Sequence, residues 1–301
     1  MTLDAVDLSD QLLDLAKGHI PANRSSAALV ARMMTLALKP MNSAYPAMLG
    51  LSGSQGSGKS TLSALLKLGL EQLEGKRVAI LALDDFYLPR AERLNLAAQV
   101  HPLCITRGVP GTHDVPAMLT TISRLLMARS GDTTRWPRFD KLRDDRADKA
   151  DWFELTGRPD LIIVEGWCVG LTADRIPSWT GPINALELAD DPDGVWISWA
   201  QQQLRDHYAV LWKMMDVMVG IRLPDIETVI ASRLLQEQGM LAHKGPGATG
   251  MSEAEIARFV QHYERFTRAL WASLPDFADI IADRDGDFAY REVALHPIQN
   301  P

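Results

Sequence analysis

An eight-residue glycine loop near the start of the chain constrains the fold more than any other feature. Residues 53–60 read Gly-Ser-Gln-Gly-Ser-Gly-Lys-Ser and fit the spacing G-x-x-x-x-G-K-[ST]. The apolar run 47–51 precedes the loop and leucines at helical spacing follow it, which predicts a strand, a loop and a helix. This order is typical of a phosphate-binding loop, because backbone N–H groups and the N-terminus of the helix can surround an anion.

The side chains of this loop predict a nucleotide site with a metal ion. Lys59 would reach the β- and γ-phosphates, and the Ser60 hydroxyl would bind Mg²⁺. The glycines allow positive φ and a close approach of the backbone to phosphate. A Gly/Ser loop that fits the spacing by chance is the alternative, and the flanking strand and helix disfavour it. The predicted nucleotide-binding residues are Gly53, Ser54, Gln55, Gly56, Ser57, Gly58, Lys59, Ser60 and Thr61.

Composition and charge exclude several classes of protein. The chain has 301 residues, of which 47% are hydrophobic and 23% charged, which is a globular composition. The net charge of −7 disfavours a general nucleic-acid binder. No apolar run approaches the roughly 18 residues of a membrane span. Cys104 and Cys168 have no metal-ligand spacing, and the acidic N-terminus does not resemble a secretion signal, so we expect reduced thiols and a cytoplasmic location.

Two further apolar runs end in acidic residues. Residues 77–83 precede Asp84 and Asp85, and residues 161–164 precede Glu165. In parallel sheets, ligands lie at the carboxyl ends of the strands, so these acids would face a bound phosphate. One acid of the first pair could accept the proton of an acceptor hydroxyl, and a helix cap or turn is the alternative. Glu165 fits the Walker B pattern, in which the acid holds Mg²⁺ directly or through water.

Two polar segments, 107–114 and 137–146, carry basic side chains. The first has a Gly/Pro turn that could present its Arg and His to an anionic ligand, and an ordinary turn is the alternative. By itself the second segment would be a solvated charge run. The side chains concerned are Arg107, His113, Arg138, Lys141 and Arg146.

The C-terminal third predicts a lid over the nucleotide. A helix from about 225 to 238 precedes a glycine-rich segment, 239–250, and a capping box at Ser252 then opens another helix. Helix, glycine-rich loop and helix are the outline of a lid that excludes water. Arg233 at its base could neutralise charge on the transferring phosphoryl group, and a surface ion pair with Glu237 is the alternative.

Taken together, these segments resemble the P-loop kinases of the uridine kinase, phosphoribulokinase and pantothenate kinase group. Within that group the chain is most similar to the plant-type D-glycerate 3-kinases and their bacterial and fungal relatives. The resemblance covers roughly residues 45–285. It rests on residues 53–61, 83–88, 107–114, 137–148, 165–170, 233–237 and 250–263.

The resemblance implies an α/β fold, specifically the three-layer P-loop NTPase fold with a mainly parallel sheet and a helical lid. The helical patterns that precede this span predict a division of the chain into two parts. Residues 1–44, which carry two helical patterns, would form an N-terminal helical extension. Residues 45–301 would form the kinase domain, with the lid at about 239–251.

The resemblance also implies roles for individual residues. Asp84 matches the acid of the motif D-x-F-Y and would be the general base, with Asp85 the weaker candidate. Glu165 matches the Walker B acid, and Arg233 matches a phosphate-contacting arginine. Together with Lys59 these would be the catalytic residues, and Ser60 and Glu165 would hold the metal. The acceptor pocket would be lined by Asp84, Tyr87, Arg107, His113, Arg138, Lys141 and Arg146.

The sequence therefore predicts an ATP- and Mg²⁺-dependent kinase that phosphorylates a hydroxyl of a small anionic metabolite, with D-glycerate first. The clustered arginines suit such an acceptor because a guanidinium can bind a carboxylate through two hydrogen bonds. One alternative is a kinase of the same group that acts on a nucleoside, pantothenate or another polyol. Another is a P-loop ATP-binding switch or chaperone without a small-molecule acceptor. We expect no nucleic-acid or membrane partner, and the oligomeric state is not indicated.

Overall fold

A six-stranded sheet organises the protein. The computed structural model describes residues 5–42, 45–244 and 250–293. The sheet has the strand order β10-β9-β8-β1-β7-β2, and every pairing is parallel except that of β10 with β9. The predicted α/β fold with a mainly parallel sheet is thereby confirmed. In chain order the strands are β1 Ala47–Gly53, β2 Val78–Ala82, β3 Thr133–Trp136, β4 Phe139–Asp140, β5 Asp145–Arg146, β6 Phe153–Thr156, β7 Leu161–Gly166, β8 Val217–Arg222, β9 Ile280–Arg284 and β10 Tyr290–Val293.

Helices and two small antiparallel sheets, β3 with β6 and β4 with β5, complete the fold. The helices are α1 Ala5–Ala16, α2 Arg24–Ala37, α3 Lys59–Leu73, α4 Arg90–Gln99, α5 Val115–Met127, α6 Ala185–Asp190, α7 Val195–Gln203, α8 Ala209–Trp212, α9 Ile226–Lys244 and α10 Glu253–Ser273. A π-helical turn, Leu204–Tyr208, joins α7 to α8. Within the described ranges, no helix combines the length and the apolarity that a membrane crossing needs.

The register of the central strands fixes where the site lies. Every residue of β1 and of β7 is buried, which explains why these strands are continuous apolar runs rather than alternating ones. Leu51 of β1 and Ala82 of β2 both pair with Glu165 of β7. The three strands therefore end at the same level, and the loops that follow them meet at one edge of the sheet.

The two helical patterns at the N-terminus are confirmed as α1 and α2. Asn23 caps α2, because its side chain accepts from the Ser26 N–H and the Ser26 hydroxyl accepts from the Asn23 N–H. Leu12 of α1 and Met34 of α2 are fully buried against α3, where a Cβ added to Gly69 would come within 3 Å of both side chains. These helices share the core of the sheet, and a domain boundary between residues 44 and 45 stays a prediction.

The lid prediction differs from the structure at its first residues. Helix α9 continues to Lys244, so residues 239–244 are helical instead of opening a loop. A single glycine inside a helix costs only about 1 kcal/mol relative to alanine, and Gly239 does not end this one. Residues 245–249 of the predicted lid lie outside the described residues. The predicted capping box at Ser252 is confirmed, with reciprocal bonds between Ser252 and Glu255.

A buried ion pair ties α6 to α10. The Arg265 guanidinium donates to both carboxylate oxygens of Glu187, at 3.0 and 2.6 Å. Both side chains are at least nine-tenths buried. Arg265 also donates to the Gly181 carbonyl and stacks on Trp179, with 4.6 Å from its guanidinium carbon to the ring centroid. Removal of either partner would leave an uncompensated charge in the interior.

We expect Glu187→Gln to lower the free energy of unfolding by about 3–5 kcal/mol, because Arg265 would stay buried without its anion. The matched control is Asp14→Asn, which removes the exposed pair between Lys17 and Asp14 and should leave the free energy of unfolding nearly unchanged. Urea unfolding at pH 7 measures both. A loss for Glu187→Gln no larger than that of the control would contradict the assignment.

Candidate active site

The phosphate-binding loop lies at the carboxyl end of β1, as predicted. Gly56 and Gly58 have φ of +70° and +87°, which a residue with a side chain rarely adopts. Helix α3 begins at Lys59 without a side-chain cap, which leaves the first N–H groups of the helix open to a ligand. The buried hydroxyls of Ser54 and Ser57 have no hydrogen-bond partner among the described residues. Buried polar groups are almost always paired, so this loop has the features of a site completed by an anion.

Glu165 lies directly beside this loop. Its carboxylate accepts hydrogen bonds from the Ser60 hydroxyl at 2.9 Å and from the Ser63 hydroxyl at 2.5 Å. A hydroxyl and a carboxylate are hard oxygen ligands, which suit Mg²⁺. The described residues contain no group of three or more His, Cys, Asp or Glu side chains that could hold a metal.

Asp84 lies in the short 3₁₀ helix Leu83–Phe86 that follows β2. Its two carboxylate oxygens accept from the Tyr87 hydroxyl and from Lys141 Nζ, each at 2.7 Å. Burial acts to raise the pKa of Asp84. The charges of Lys141 and Lys59 and these two hydrogen bonds outweigh burial and hold the pKa well below its usual range. Asp84 is therefore an ionised, oriented carboxylate, and Lys141 limits its basicity.

Asp85 has a different environment from its neighbour. Its side chain accepts from the Phe139 N–H at 3.2 Å, which ties the 3₁₀ helix to β4. Burial raises the pKa of Asp85 to about 7, despite that hydrogen bond and with help from the charge of Asp84. Asp85 also lines a small cavity with Lys59, Ser60, Asp84, Lys141 and Glu165. Both acids of the pair therefore lie at the site, one strongly ionised and one titrating near neutrality.

A small cavity lies between the phosphate-binding loop and the acidic pair. Its volume is about 100 Å³. Nine of the predicted residues line it, namely Gln55, Gly56, Lys59, Ser60, Asp84, Tyr87, Arg107, Lys141 and Arg233. The structure thus brings together the predicted phosphate loop, the predicted base and three predicted cations.

Four residues of this cavity wall were not predicted, namely Trp167, Gln236, Phe259 and Tyr263. The Trp167 indole donates to the Gly108 carbonyl at 2.7 Å, and the Tyr263 hydroxyl donates to the Arg107 carbonyl at 2.6 Å. These aromatic side chains therefore hold the segment that carries Arg107. Phe259 and Tyr263 have the helical spacing of a core-facing stripe. That spacing does not distinguish a core position from a cavity wall, and only the structure shows that they line the cavity.

Arg107 is half-buried and already has a partner. Its guanidinium pairs with Asp144 and lies over the Phe139 ring, 5.6 Å from the centroid. Asp144 also pairs with the buried Arg93, at 3.0 Å, and has a φ of 53°, a conformation that Asp tolerates better than most residues. Arg107 is thus fixed in orientation before any ligand arrives.

The placement of Arg233 agrees with both of its predicted roles, the ion pair with Glu237 and the contact with a phosphoryl group. It pairs with Glu237 at 2.7 Å, as the alternative stated, but both side chains are nearly nine-tenths buried rather than on the surface. Its Nη1 atom is buried and has no hydrogen-bond partner in the part of the chain that the structure describes. Arg233 therefore keeps a free donor on the wall of the cavity. A role in phosphate transfer stays a prediction.

Three residues assigned to the acceptor pocket do not line this cavity. His113 is buried behind Tyr87, stacked on its ring at 5.0 Å, with Nδ1 2.8 Å from the Tyr208 hydroxyl. Arg146 pairs with Asp114 at 2.7 Å and donates to the Tyr87 carbonyl. His113 and Arg146 therefore support Tyr87 from behind.

Arg138 differs from these two because it is exposed. It lies over the Phe153 ring, 5.8 Å from the centroid, on a shallow surface on the other side of Lys141 from the cavity. Sequence spacing could not show which side chains of these loops point inward. A direct contact of Arg138, His113 or Arg146 with an acceptor has no support from their placement.

Sequence comparison adds the following relatives. No family model matches the chain. It is 32% identical over 234 residues to the kinase mug58 of Schizosaccharomyces pombe, which covers 75% of this chain and 81% of that protein. It is 29% identical over 248 residues to the chloroplastic D-glycerate 3-kinase of Arabidopsis thaliana. That match covers 78% of this chain but only 50% of the longer plant protein.

Among solved structures, the D-glycerate 3-kinase from Cryptococcus neoformans superposes with a TM-score of 0.70 at 24% identity. The match covers 88% of this chain and 99% of the fungal one. At this identity the likeness concerns the fold. The arrangement of strands around the phosphate-binding loop is therefore that of a P-loop kinase.

The buried His113 predicts a pH dependence of stability. Burial lowers its pKa to about 4 despite the nearby charge of Asp84, whereas an unfolded histidine titrates near 6.5. Between these values the unfolded chain takes up a proton that the folded protein does not, so stability falls as the pH drops from about 6.5 to 4. This linkage amounts to at most about 3 kcal/mol.

We expect His113→Gln to lose less stability than the wild-type protein between pH 7 and pH 4.5, because glutamine cannot ionise. Urea unfolding at several pH values measures the difference. His19→Gln, which changes an exposed side chain, should follow the wild-type curve. If His113→Gln declined in parallel with the wild type, the neutral buried imidazole would be the wrong assignment.

Proposed function

The chain belongs to the family of P-loop kinases that includes the Schizosaccharomyces pombe relative, and we propose that it transfers the γ-phosphate of ATP to a hydroxyl of a small anionic metabolite, with D-glycerate as the first candidate. The observation that carries the proposal is the cavity of about 100 Å³ in which Asp84, Lys141 and Arg107 face the phosphate-binding loop. It supplies a base for a hydroxyl and two cations for a carboxylate. These are the requirements of an acceptor that carries both groups.

The donor half of the proposed site is residues 53–61 with Glu165. The loop N–H groups and Lys59 would hold the β- and γ-phosphates. Ser60 and Glu165 would hold Mg²⁺, which neutralises charge on the phosphates when it is bound. The buried, unpaired hydroxyls of Ser54 and Ser57 support this assignment, because a phosphate close to the loop would give them partners.

The acceptor half depends on an exchange of partners at Asp84. Without an acceptor, Lys141 occupies one oxygen of Asp84. An acceptor carboxylate would compete for Lys141 and for Arg107, and Asp84 would then gain basicity as the charge of Lys141 is shared. Tyr87 would keep the carboxylate oriented through its 2.7 Å hydrogen bond while Asp84 takes the proton of the attacking hydroxyl.

Stabilisation of the transferring phosphoryl group would come from fixed positive charge. Lys59 and Arg233 line the same cavity as Asp84, and the free Nη1 donor of Arg233 supports a contact with phosphate. Phe259 and Tyr263 of α10 line the same cavity and would limit the access of water to it. Catalysis of this kind depends on positioning and electrostatics, with no covalent intermediate. A nucleotide-regulated switch has no use for such an acceptor cavity.

The expected cytoplasmic location also stays part of the proposal. Cys104 and Cys168 are both free and buried, as reduced thiols would be. The proposed partner is the small-molecule acceptor alone.

The proposal predicts selectivity for a carboxylate. We expect ATP-dependent phosphorylation of D-glycerate with a kcat/KM about 100-fold above that of glycerol. Glycerol has the same carbon skeleton but lacks the carboxylate that Lys141 and Arg107 would bind. Incubation with ATP and Mg²⁺ and a panel of D-glycerate, glycerol, pantothenate, uridine and ribulose 5-phosphate, with detection of ADP and of the phosphorylated product, measures this. Hydrolysis of ATP that no acceptor accelerates would favour a switch protein instead.

Asp84→Asn should leave nucleotide binding within a few-fold of the wild type and lower kcat by about 10²–10⁴, since the amide cannot take the proton. Calorimetry with ADP and a coupled assay measure the two effects. Asp151→Asn, on an exposed acid near the same face, is the control and should be unchanged. Turnover of Asp84→Asn at the wild-type rate would refute its role as the base.

A further inference from the structure

The hairpin formed by β9 and β10 is in contact with the phosphate-binding loop, although more than 220 residues separate them in the sequence. Arg284 Nη2 donates to the Gly56 carbonyl at 2.5 Å, and the Tyr290 hydroxyl donates to the Ser57 carbonyl at 2.9 Å. A loop that surrounds an anion turns its N–H groups inward and its carbonyls outward. The hairpin therefore holds two of the outward carbonyls.

The contact between loop and hairpin is tight. A Cβ added to Gly58 would lie 2.0 Å from the Tyr290 hydroxyl, and one added to Gly56 would lie 2.6 Å from the Ser232 Cβ on α9. No side chain fits at either position. Gly56 and Gly58 of the loop are thus required by what lies behind the loop as well as by their positive φ.

Arg284 is a buried cation that forms no ion pair in the described part of the chain. Its side chain is 1% exposed, and its hydrogen-bond acceptors are all neutral, namely the carbonyls of Gly56 and Asp285 and the hydroxyl of Ser232. Its Nε atom has no hydrogen-bond partner among the described residues, and burial lowers the pKa of Arg284 although the charge of the Asp285 carboxylate acts to raise it. The Phe288 ring covers the guanidinium, 3.9 Å from its carbon to the centroid. A buried charge of this kind is unfavourable unless an anion lies near it.

We propose that the β9–β10 hairpin is a functional part of the nucleotide site, in which Arg284 and Tyr290 position the phosphate-binding loop and Arg284 adds a buried positive charge behind the phosphates. The inference rests on the nucleotide site of the proposed function. Bound phosphate would add a negative charge across the loop, through a low-dielectric interior in which charges are poorly screened. Arg284 is a positioning residue, because the loop backbone separates it from the ligand.

Calorimetry of the full-length chain with ADP and Mg²⁺ tests the inference. We expect Arg284→Met to weaken ADP binding by 10- to 100-fold, and Arg284→Lys, which keeps the charge, to recover part of the loss. Tyr290→Phe removes one hydroxyl and keeps the ring, so a 2- to 10-fold loss is expected. Arg291→Met removes an exposed charge from the same hairpin and should bind ADP like the wild type.

Steady-state kinetics separate positioning from general damage to the fold. For Tyr290→Phe and Arg284→Lys we expect the KM for ATP to rise while kcat and the KM for the acceptor stay within about 2-fold of wild type. Tyr290→Phe keeps the inference testable if Arg284→Met does not fold. Wild-type ADP affinity in folded Arg284→Met, or in Tyr290→Phe if only that variant folds, would overturn the inference. If the wild type binds ADP and the variants weaken it but no acceptor is phosphorylated, the proposed function fails and the inference stands.

Discussion

The parallel pairing of β1, β7 and β2 is the constraint on which the rest of the site depends. Because Leu51 and Ala82 both pair with Glu165, the three strands end at one level. The phosphate-binding loop, Glu165 and the acidic pair after β2 are thereby brought to one edge of the sheet, although Ser60 and Glu165 lie 105 residues apart in sequence. A shift of one residue in this register would turn Glu165 to the opposite face and away from Ser60.

Three cations that line the cavity are each paired with a protein carboxylate. Lys141 pairs with Asp84, Arg107 with Asp144, and Arg233 with Glu237. Such pairing keeps cations oriented in a partly buried cavity and leaves them able to exchange a protein carboxylate for a ligand anion. Arg284 is different, because it is buried behind the phosphate loop with neutral acceptors only. The paired cations of the cavity suit the exchange of a protein carboxylate for a ligand anion. The buried Arg284 suits permanent support of the phosphate-binding loop.

Much of the site could be predicted because its motifs are local. The spacing of residues 53–60 defines a loop whose conformation depends on glycines and on the following helix, and the acids that end β2 and β7 follow from apolar runs that close on a carboxylate. Sequence spacing does not show which side chains of a loop point inward. Arg138, His113 and Arg146 lie outside the cavity, because hydrogen bonds to distant elements, such as that between His113 and Tyr208, set the orientation of these segments. The first residues of the predicted lid were wrong because one glycine did not end α9.

The sequence by itself determined the order of strand, glycine loop and helix around residues 53–60 and the position of acidic residues after two buried strands, since each depends on neighbouring residues and their periodicity. Only the tertiary structure decided which cations share a cavity with Asp84, that Lys141 occupies that carboxylate, and that Trp167 and Tyr263 hold the segment carrying Arg107. It alone placed Arg284 and Tyr290 behind the glycine loop. These contacts join residues far apart in the chain, and no local pattern encodes the register and packing that bring them together.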